Sequence, residues 1–344
     1  MHMADALLSP AVGGTMWAAT AVTVAYCSRR LRQEADDRRV PLMGVLGAFL
    51  FAAQMINFSI PGTGSSGHLG GGLLLAILLG PHAAFLVMVS VLIVQALFFA
   101  DGGLLALGCN IFNLGFFPAF VGYPLYRRLA GEAPGTARAG VAAVIAAVLS
   151  LQLGAFAVVL QTVASGISAL PLGTFLAFML PIHLAIGIVE GVVTAAVISF
   201  VRAARPGVLP TAVRSGHAVY GMASAFLVVA LVLGGVGAWF ASKNPDGLEW
   251  SVARVTGARE PESPQTGIEA ALGRLQQRTA ILPGYGFRHE TVRAAEKNEA
   301  PNGITNSWGS DRLGKSLAGV VGGSITLALA LLVGFALKLR SGWR

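Results

Sequence analysis

Nine apolar runs near residues 10–27, 42–60, 69–80, 82–99, 104–126, 140–163, 172–201, 217–241 and 316–338 organise the sequence. A helix needs about 20 apolar residues to cross the hydrocarbon core of a bilayer. Most of these runs approach that length. Only 12% of the residues are charged, about half the roughly 25% of a soluble protein, so folding the runs into soluble cores would leave too little polar surface. The pattern predicts an all-α polytopic membrane protein. It excludes DNA-binding domains, disulfide-rich secreted folds and soluble Rossmann enzymes. Cys27 and Cys109 stand in no metal-ligand spacing.

The third run is the short one. Twelve residues of helix rise only about 18 Å, and Gly80-Pro81 interrupts the run. Fused with the fourth, it would put Arg127 and Arg128 outside the cell. Read as a separate element, it puts all 14 basic residues beyond 242–315 on the cytoplasmic face, as the positive-inside rule asks. The expected topology is therefore that of a multi-pass membrane protein that begins outside and ends inside. No basic n-region precedes the first run, so no cleavable signal is expected.

This topology divides the chain into a seven-element domain (1–201), a cytoplasmic linker (202–216) and a C-terminal unit (217–344). The last has helices near 217–241 and 316–338 joined by a long extracytoplasmic loop, 242–315. With 10 basic and 9 acidic residues, the loop is a poor electrostatic funnel for a cation. It is expected to carry an amphipathic helix near 265–281 and to act mechanically on the glycine-rich loop 61–72. The net charge of +8 marks topology rather than a nucleic-acid partner.

Chemistry concentrates on the outer face. The α-amine of Met1, the amide of His2 and Nδ1 of His2 can close a five- and a six-membered chelate ring on one metal. His68, in the outer loop, can supply a fourth nitrogen. An all-nitrogen square plane suits Ni(II) or Cu(II). From the residues alone, a solvated terminal histidine and a packed loop histidine remain alternatives. His183 and Glu190 share one face of the seventh element. Ionisable residues inside a membrane are functional candidates, so they are read as supporting or gating the site, or as locking helix packing. Asp101 is read as capping the turn before 104–126, with metal attraction as the alternative. Asn57 and Ser66 are read as supports of the loop or of a ligand imidazole. Gln54, Gln95, Asn110 and Asn113 are assigned to interhelical hydrogen bonds.

The opening MHMADALLSP, the loop PGTGSSGHLGGGLLLAILLGP, QALFFADGGLLALGCNIFN at 95–113 and HLAIGIVEG at 183–191 together resemble the CbiM/NikM family. Those proteins are the substrate-capture membrane subunits of energy-coupling-factor cobalt and nickel importers. PDGLEW at 245–250 resembles the PDGLE-type, NikN-like companion subunit. Met3-Ala4 replaces Ile-Pro of the family opening, Leu7 replaces an aromatic residue, Gly70 replaces a leucine, and the loop is one residue longer before His68. The resemblance implies metal ligands at Met1, His2 and His68, with Ni(II) or Co(II) as transported substrate and no catalytic cofactor. It also implies two partners: a transmembrane coupling subunit of the CbiQ/NikQ type and a pair of ABC ATPases of the CbiO/NikO type.

Two other classes compete. An intramembrane enzyme would use His183, Glu190 and Asp101, but no nucleophile stands near a base at suitable spacing. A capture subunit for an organic vitamin would not need His2 at the terminus. Residues 309–316, GSDRLGKS, fit the phosphate-loop pattern. An apolar run follows where a strand–loop–helix context is required, so the motif is refused and ATP is left to partner subunits.

Overall fold

The computed structural model describes residues 2–34, 39–132, 134–167, 170–204, 216–257, 266–287 and 307–339. A short 3₁₀ turn, Asp5–Leu7, leads into α1 (Pro10–Glu34), which opens on a proline, a residue suited to a first helical turn because its missing N–H has no partner to find there. Next come α2 (Arg39–Gln54), β1 (Phe58–Ile60), β2 (Ser65–Gly67), α3 (Gly72–Leu79) and α4 (Pro81–Phe99). A single rod then runs from α5 (Leu107–Ile111) through a widened π stretch, Phe112–Gly122, into α6 (Tyr123–Ala130). The π stretch contains Pro118, which has no N–H to give a regular ladder. The order ends with α7 (Thr136–Ser165), α8 (Leu172–Ala204), α9 (Gly216–Gly235), α10 (Gly247–Thr256), α11 (Gly267–Thr279) and α12 (Ser307–Leu339).

All nine apolar runs contain helix, and α11 falls where an amphipathic helix is expected. Two runs differ in detail. The second ends as helix at Gln54, and its tail becomes β1, paired antiparallel with β2 (Phe58↔Gly67, Ile60↔Ser65). The third gives only α3, whose eight residues rise about 12 Å and do not span. It is buried from Gly72 to Leu79, walled off from lipid by its neighbours. Such a short element is tolerable at membrane depth because protein surrounds its ends.

Four helices, Pro81–Phe99, Thr136–Ser165, Leu172–Ala203 and Asp311–Leu339, are long and apolar enough to cross a bilayer. Val141, Phe156, Leu184, Val192, Leu231 and Phe335 project from the bundle as large exposed apolar side chains. That surface suits lipid and not water. The protein is an all-α polytopic membrane protein.

The C-terminal helices do not stand apart. α12 lies along α2, where Leu331 would sit 2.7 Å from a β-carbon on Gly44, and where Phe51 of α2 would sit 2.1 Å from one on Gly322. α9 and α12 meet backbone to backbone, since a β-carbon on Gly319 would lie 2.3 Å from the Gly234 carbonyl oxygen. Small residues are the usual means of such close approach between membrane helices. Gly319→Val should therefore destabilise the detergent-solubilised protein by about 1–3 kcal/mol. Thermal unfolding measures this, and a wild-type melting temperature would contradict the packing.

Candidate metal centre

The amino-terminal segment is pinned by its backbone. Met3 N–H donates to Asn110 Oδ1 (2.8 Å), while Asn110 Nδ2 and Gly103 N–H donate to the Met3 carbonyl at 3.2 and 2.9 Å. The Met3 side chain is wholly buried. Asp5 Oδ1 accepts from Ala106 N–H (2.9 Å). Asn110 thus binds the incoming strand and is not an interhelical link. Gly102, at φ +78°, turns the chain beneath His2, and a β-carbon there would come within 2.8 Å of Asn110 Nδ2.

The other half of the site is the segment His68–Gly71, between β2 and α3. It makes no ladder hydrogen bonds, so buried polar groups must find side chains. Glu190, from the middle of α8, accepts from Gly70 N–H (2.9 Å) and Gly71 N–H (3.0 Å). Gln54 Nε2 donates to the Gly70 carbonyl (2.9 Å), and Gln95 Nε2 donates to Gln54 Oε1 (2.8 Å). Gly71 has φ +72°, and a β-carbon there would fall 2.1 Å from Leu50. Asn113 and Gln161 form a reciprocal interhelical pair.

These two supports bring His2 and His68 together, with ring centroids 5.0 Å apart and planes 19° apart. Burial pushes the His68 imidazole down to about 3, and the amino-terminal and His2 charges act the same way. Burial also lowers His2, against the opposing pull of Asp101. Both rings are neutral at pH 7, the form that binds metals. His68 Nδ1 lies 3.1 Å from the Leu69 carbonyl, which can only accept, so the ring lone pair is on Nε2. His2 Nδ1 faces Asp101 Oδ1 at 3.4 Å. His2 Nε2 is buried with no hydrogen-bond partner among the described residues; the six-membered chelate ring needs Nδ1, the atom that here faces Asp101.

Among the described residues, no three His, Cys, Asp or Glu side chains converge as a metal cage. Met1 lies outside the described residues.

The remaining candidates fall into place differently. Asp101 does not cap the turn before 104–126. It faces His2 and accepts from the Tyr285 hydroxyl, while Asp5 serves the turn. Asn57 meets its neighbours through its carbonyl, which accepts from Ser242 N–H (2.8 Å); its side chain bonds neither imidazole among the described residues. Ser66 ties the hairpin to the C-terminal unit, its Oγ donating to the Asn244 carbonyl (2.8 Å) and its N–H to the Pro245 carbonyl (2.7 Å). His183 Nδ1 donates to the Met179 carbonyl (2.7 Å). Its Nε2, buried and unpartnered among the described residues, belongs to a ring that lines a void of about 10 Å³ shared with His68 and Asp246. His183, Glu190 and Asp101 are each committed to a different partner and form no catalytic constellation. Residues 309–316 are helical throughout, so from Asp311 on their amides serve the α12 ladder, and the strand–loop–helix cradle of a phosphate loop is not formed.

Two residues at the centre are absent from the sequence reading: Asp246 and Tyr285. As expected, 242–315 docks on the 61–72 loop, through Ser66 and Trp250; it also brings Asp246 and Tyr285 to the centre. The pattern Asp-Gly-Leu-Glu signals a helix start, and the structure forms the full capping box, with Leu248 and Glu249 N–H on Asp246 Oδ1 and the Asp246 N–H on Glu249. Nothing local says that this cap docks on His68.

Residues 2–208 match the family model for CbiM, the cobalt uptake substrate-specific transmembrane region. The chain belongs to the CbiM family. Residues 221–339 match the PDGLE domain. The fused nickel transport protein NikMN of Rhodobacter capsulatus is 29% identical over 312 residues, covering 83% of this chain and 88% of that protein. The cobalt transport protein CbiM of Sorangium cellulosum is 35% identical over 220 residues, 61% of this chain and 94% of that one. A crystal structure of a truncated transition metal transporter superposes with a TM-score of 0.53 at 31% identity, over 59% of this chain and 99% of that chain.

The buried His68 leaves a mark on stability. Unfolded, it takes up a proton near pH 6.5, whereas folded it resists down to about 3. Between those values the unfolded state binds more protons, so stability falls as pH falls through that window. The metal-free protein should melt at a lower temperature at pH 5 than at pH 7, and His68→Gln should flatten that dependence. Equal pH slopes in the two proteins would contradict the burial of a neutral ring.

Proposed function

We propose that the chain is the substrate-capture membrane subunit of an energy-coupling-factor ABC importer for Ni(II) or Co(II). The observation that carries this reading is the stacked, buried pair His2–His68, held by Asn110 on one side and by Glu190 and Gln54 on the other. The metal is bound by the Met1 amine, the His2 amide and imidazole, and the His68 imidazole. Membership of the CbiM family and likeness to nickel and cobalt transport proteins support the choice of metal.

In this reading residues 1–201 form the capture domain, 202–216 the cytoplasmic linker and 217–344 the companion domain. The site opens to the outside and the C-terminus is cytoplasmic. A transmembrane coupling subunit and two ABC ATPases drive release inward, and those ATPases hydrolyse ATP. The neutral rings need shed no proton at pH 7, so acid weakens binding chiefly through the amine and the amide, which must lose theirs.

His2→Ala and His68→Ala should each abolish high-affinity Ni(II) and Co(II) binding without unfolding the protein. A retained N-terminal extension should do the same, because it turns the α-amine into an amide and moves His2 from position 2; a C-terminal tag should be silent. Calorimetric titration of purified protein checks both. Wild-type affinity in either alanine variant, or normal binding by an N-terminally extended chain, would sink the assignment.

A further inference from the structure

The C-terminal unit reaches the two histidines by two separate arms. The first arm is the peptide Asn244–Gly247. Ser66 of β2 grips it through both its N–H and its hydroxyl, Ser66 also pairs with Asp246 as an isolated bridge, and Trp250 Nε1 donates to the Thr63 carbonyl (3.0 Å). Gly247 is pressed against α8 so closely that a β-carbon would lie 2.5 Å from Ile182 and 3.1 Å from His183. This seats the Asp246 carboxylate in the void that His68 and His183 line. Both cap bonds of α10 go to Oδ1, and asparagine or serine would cap about as well. A helix start alone does not call for a charge at this position; the carboxylate meets the amino-terminal charge and His68.

The second arm runs from α11 to Tyr285. Gln276 Nε2 donates to the Ala96 and Gly102 carbonyls (2.9 and 2.7 Å), and Ile281 N–H donates to the Phe98 carbonyl (2.9 Å). The arm thus grips the end of α4 and the turn that carries Asp101. The Tyr285 ring stacks on Phe99, with centroids 5.2 Å apart, and its hydroxyl donates to Asp101 Oδ2. Asp101 presents its other oxygen to His2.

Each histidine therefore has a carboxylate beside it, and the C-terminal unit either supplies that carboxylate or holds it. A divalent metal bound by a neutral amine, two neutral imidazoles and one ionised amide leaves a net positive charge in a buried place. Such a charge is costly without a nearby counter-charge.

We propose, resting on the metal-capture reading above, that the C-terminal unit completes the metal site: Asp246 is the buried counter-charge beside His68, and Tyr285 is a positioning residue that fixes Asp101 against His2. The companion domain is then part of the binding site and not only a cover over it.

The test uses the full-length protein in detergent, titrated with Ni(II) alone. Asp246→Asn keeps the cap and removes the charge. It should weaken Ni(II) affinity by about 10–100-fold, the usual loss when a partner of a metal ligand is removed. The carboxylate also faces the amino-terminal charge, so the metal-free melting temperature should fall, and beyond that fall the rise on adding Ni(II) should shrink in step with the affinity. Asp246→Ser, a second capping residue, repeats the measurement. Tyr285→Phe should weaken binding by about tenfold and add nothing when combined with Asp101→Asn, because the two act through one contact.

Wild-type affinity and dissociation rate in both Asp246→Asn and Tyr285→Phe, with binding abolished in His2→Ala, would overturn this inference and leave the capture site standing. A wild-type rise in melting temperature on adding Ni(II) in both Asp246 variants would overturn it too. Wild-type affinity in His2→Ala would instead overturn the capture reading, and this inference with it.

Discussion

A stretch of non-helical backbone, His68–Gly71, lies buried among helices, and its polar groups have to be satisfied without water. The Glu190 carboxylate does most of this, receiving two adjacent amides, with Gln54 on the intervening carbonyl. Leaving a buried amide unpaired costs about 1–3 kcal/mol. The position of His68, the entry into the short helix α3 and the left-handed turn at Gly71 all follow from that contact.

The amino-terminal half obeys the same rule with different parts. Asn110 satisfies both backbone groups of Met3, and a fully buried methionine side chain anchors the strand. His2 is thereby held by main-chain contacts one residue away, which leaves its ring to face His68. Burial keeps both rings neutral, so the arrangement stores lone pairs and not charge. Hairpin, terminus and α4–α5 turn meet at one end of the bundle, and the C-terminal unit closes over them through Ser66, Trp250 and Tyr285.

Packing of the last two helices explains how that unit can reach so far. Glycines on α2, α9 and α12 let backbones approach until a side chain would collide. With α12 seated along α2, the connecting loop begins and ends next to the hairpin. Its two arms then bind fixed points of the first domain, and residues distant in sequence share one void.

Some of this was legible in the residues. Apolar runs of bilayer length required membrane helices, the glycine-proline break isolated α3, and a histidine in second position pointed to the terminus, where its ring stacks on His68. Those are local properties, written in composition, spacing and covalent chemistry. The roles of Asp101 and Asn110 were misread, because a polar side chain near a helix end has several local partners available and only packing selects one. Asp246 stands in a pattern that starts a helix, but its place beside His68 was not legible, since no local pattern encodes where a cap will dock. The sequence by itself determined which elements must lie in the membrane and which nitrogens could hold a metal. The tertiary structure alone decided which carboxylates stand beside them, because buried polar groups must find partners wherever the bundle happens to bring them close.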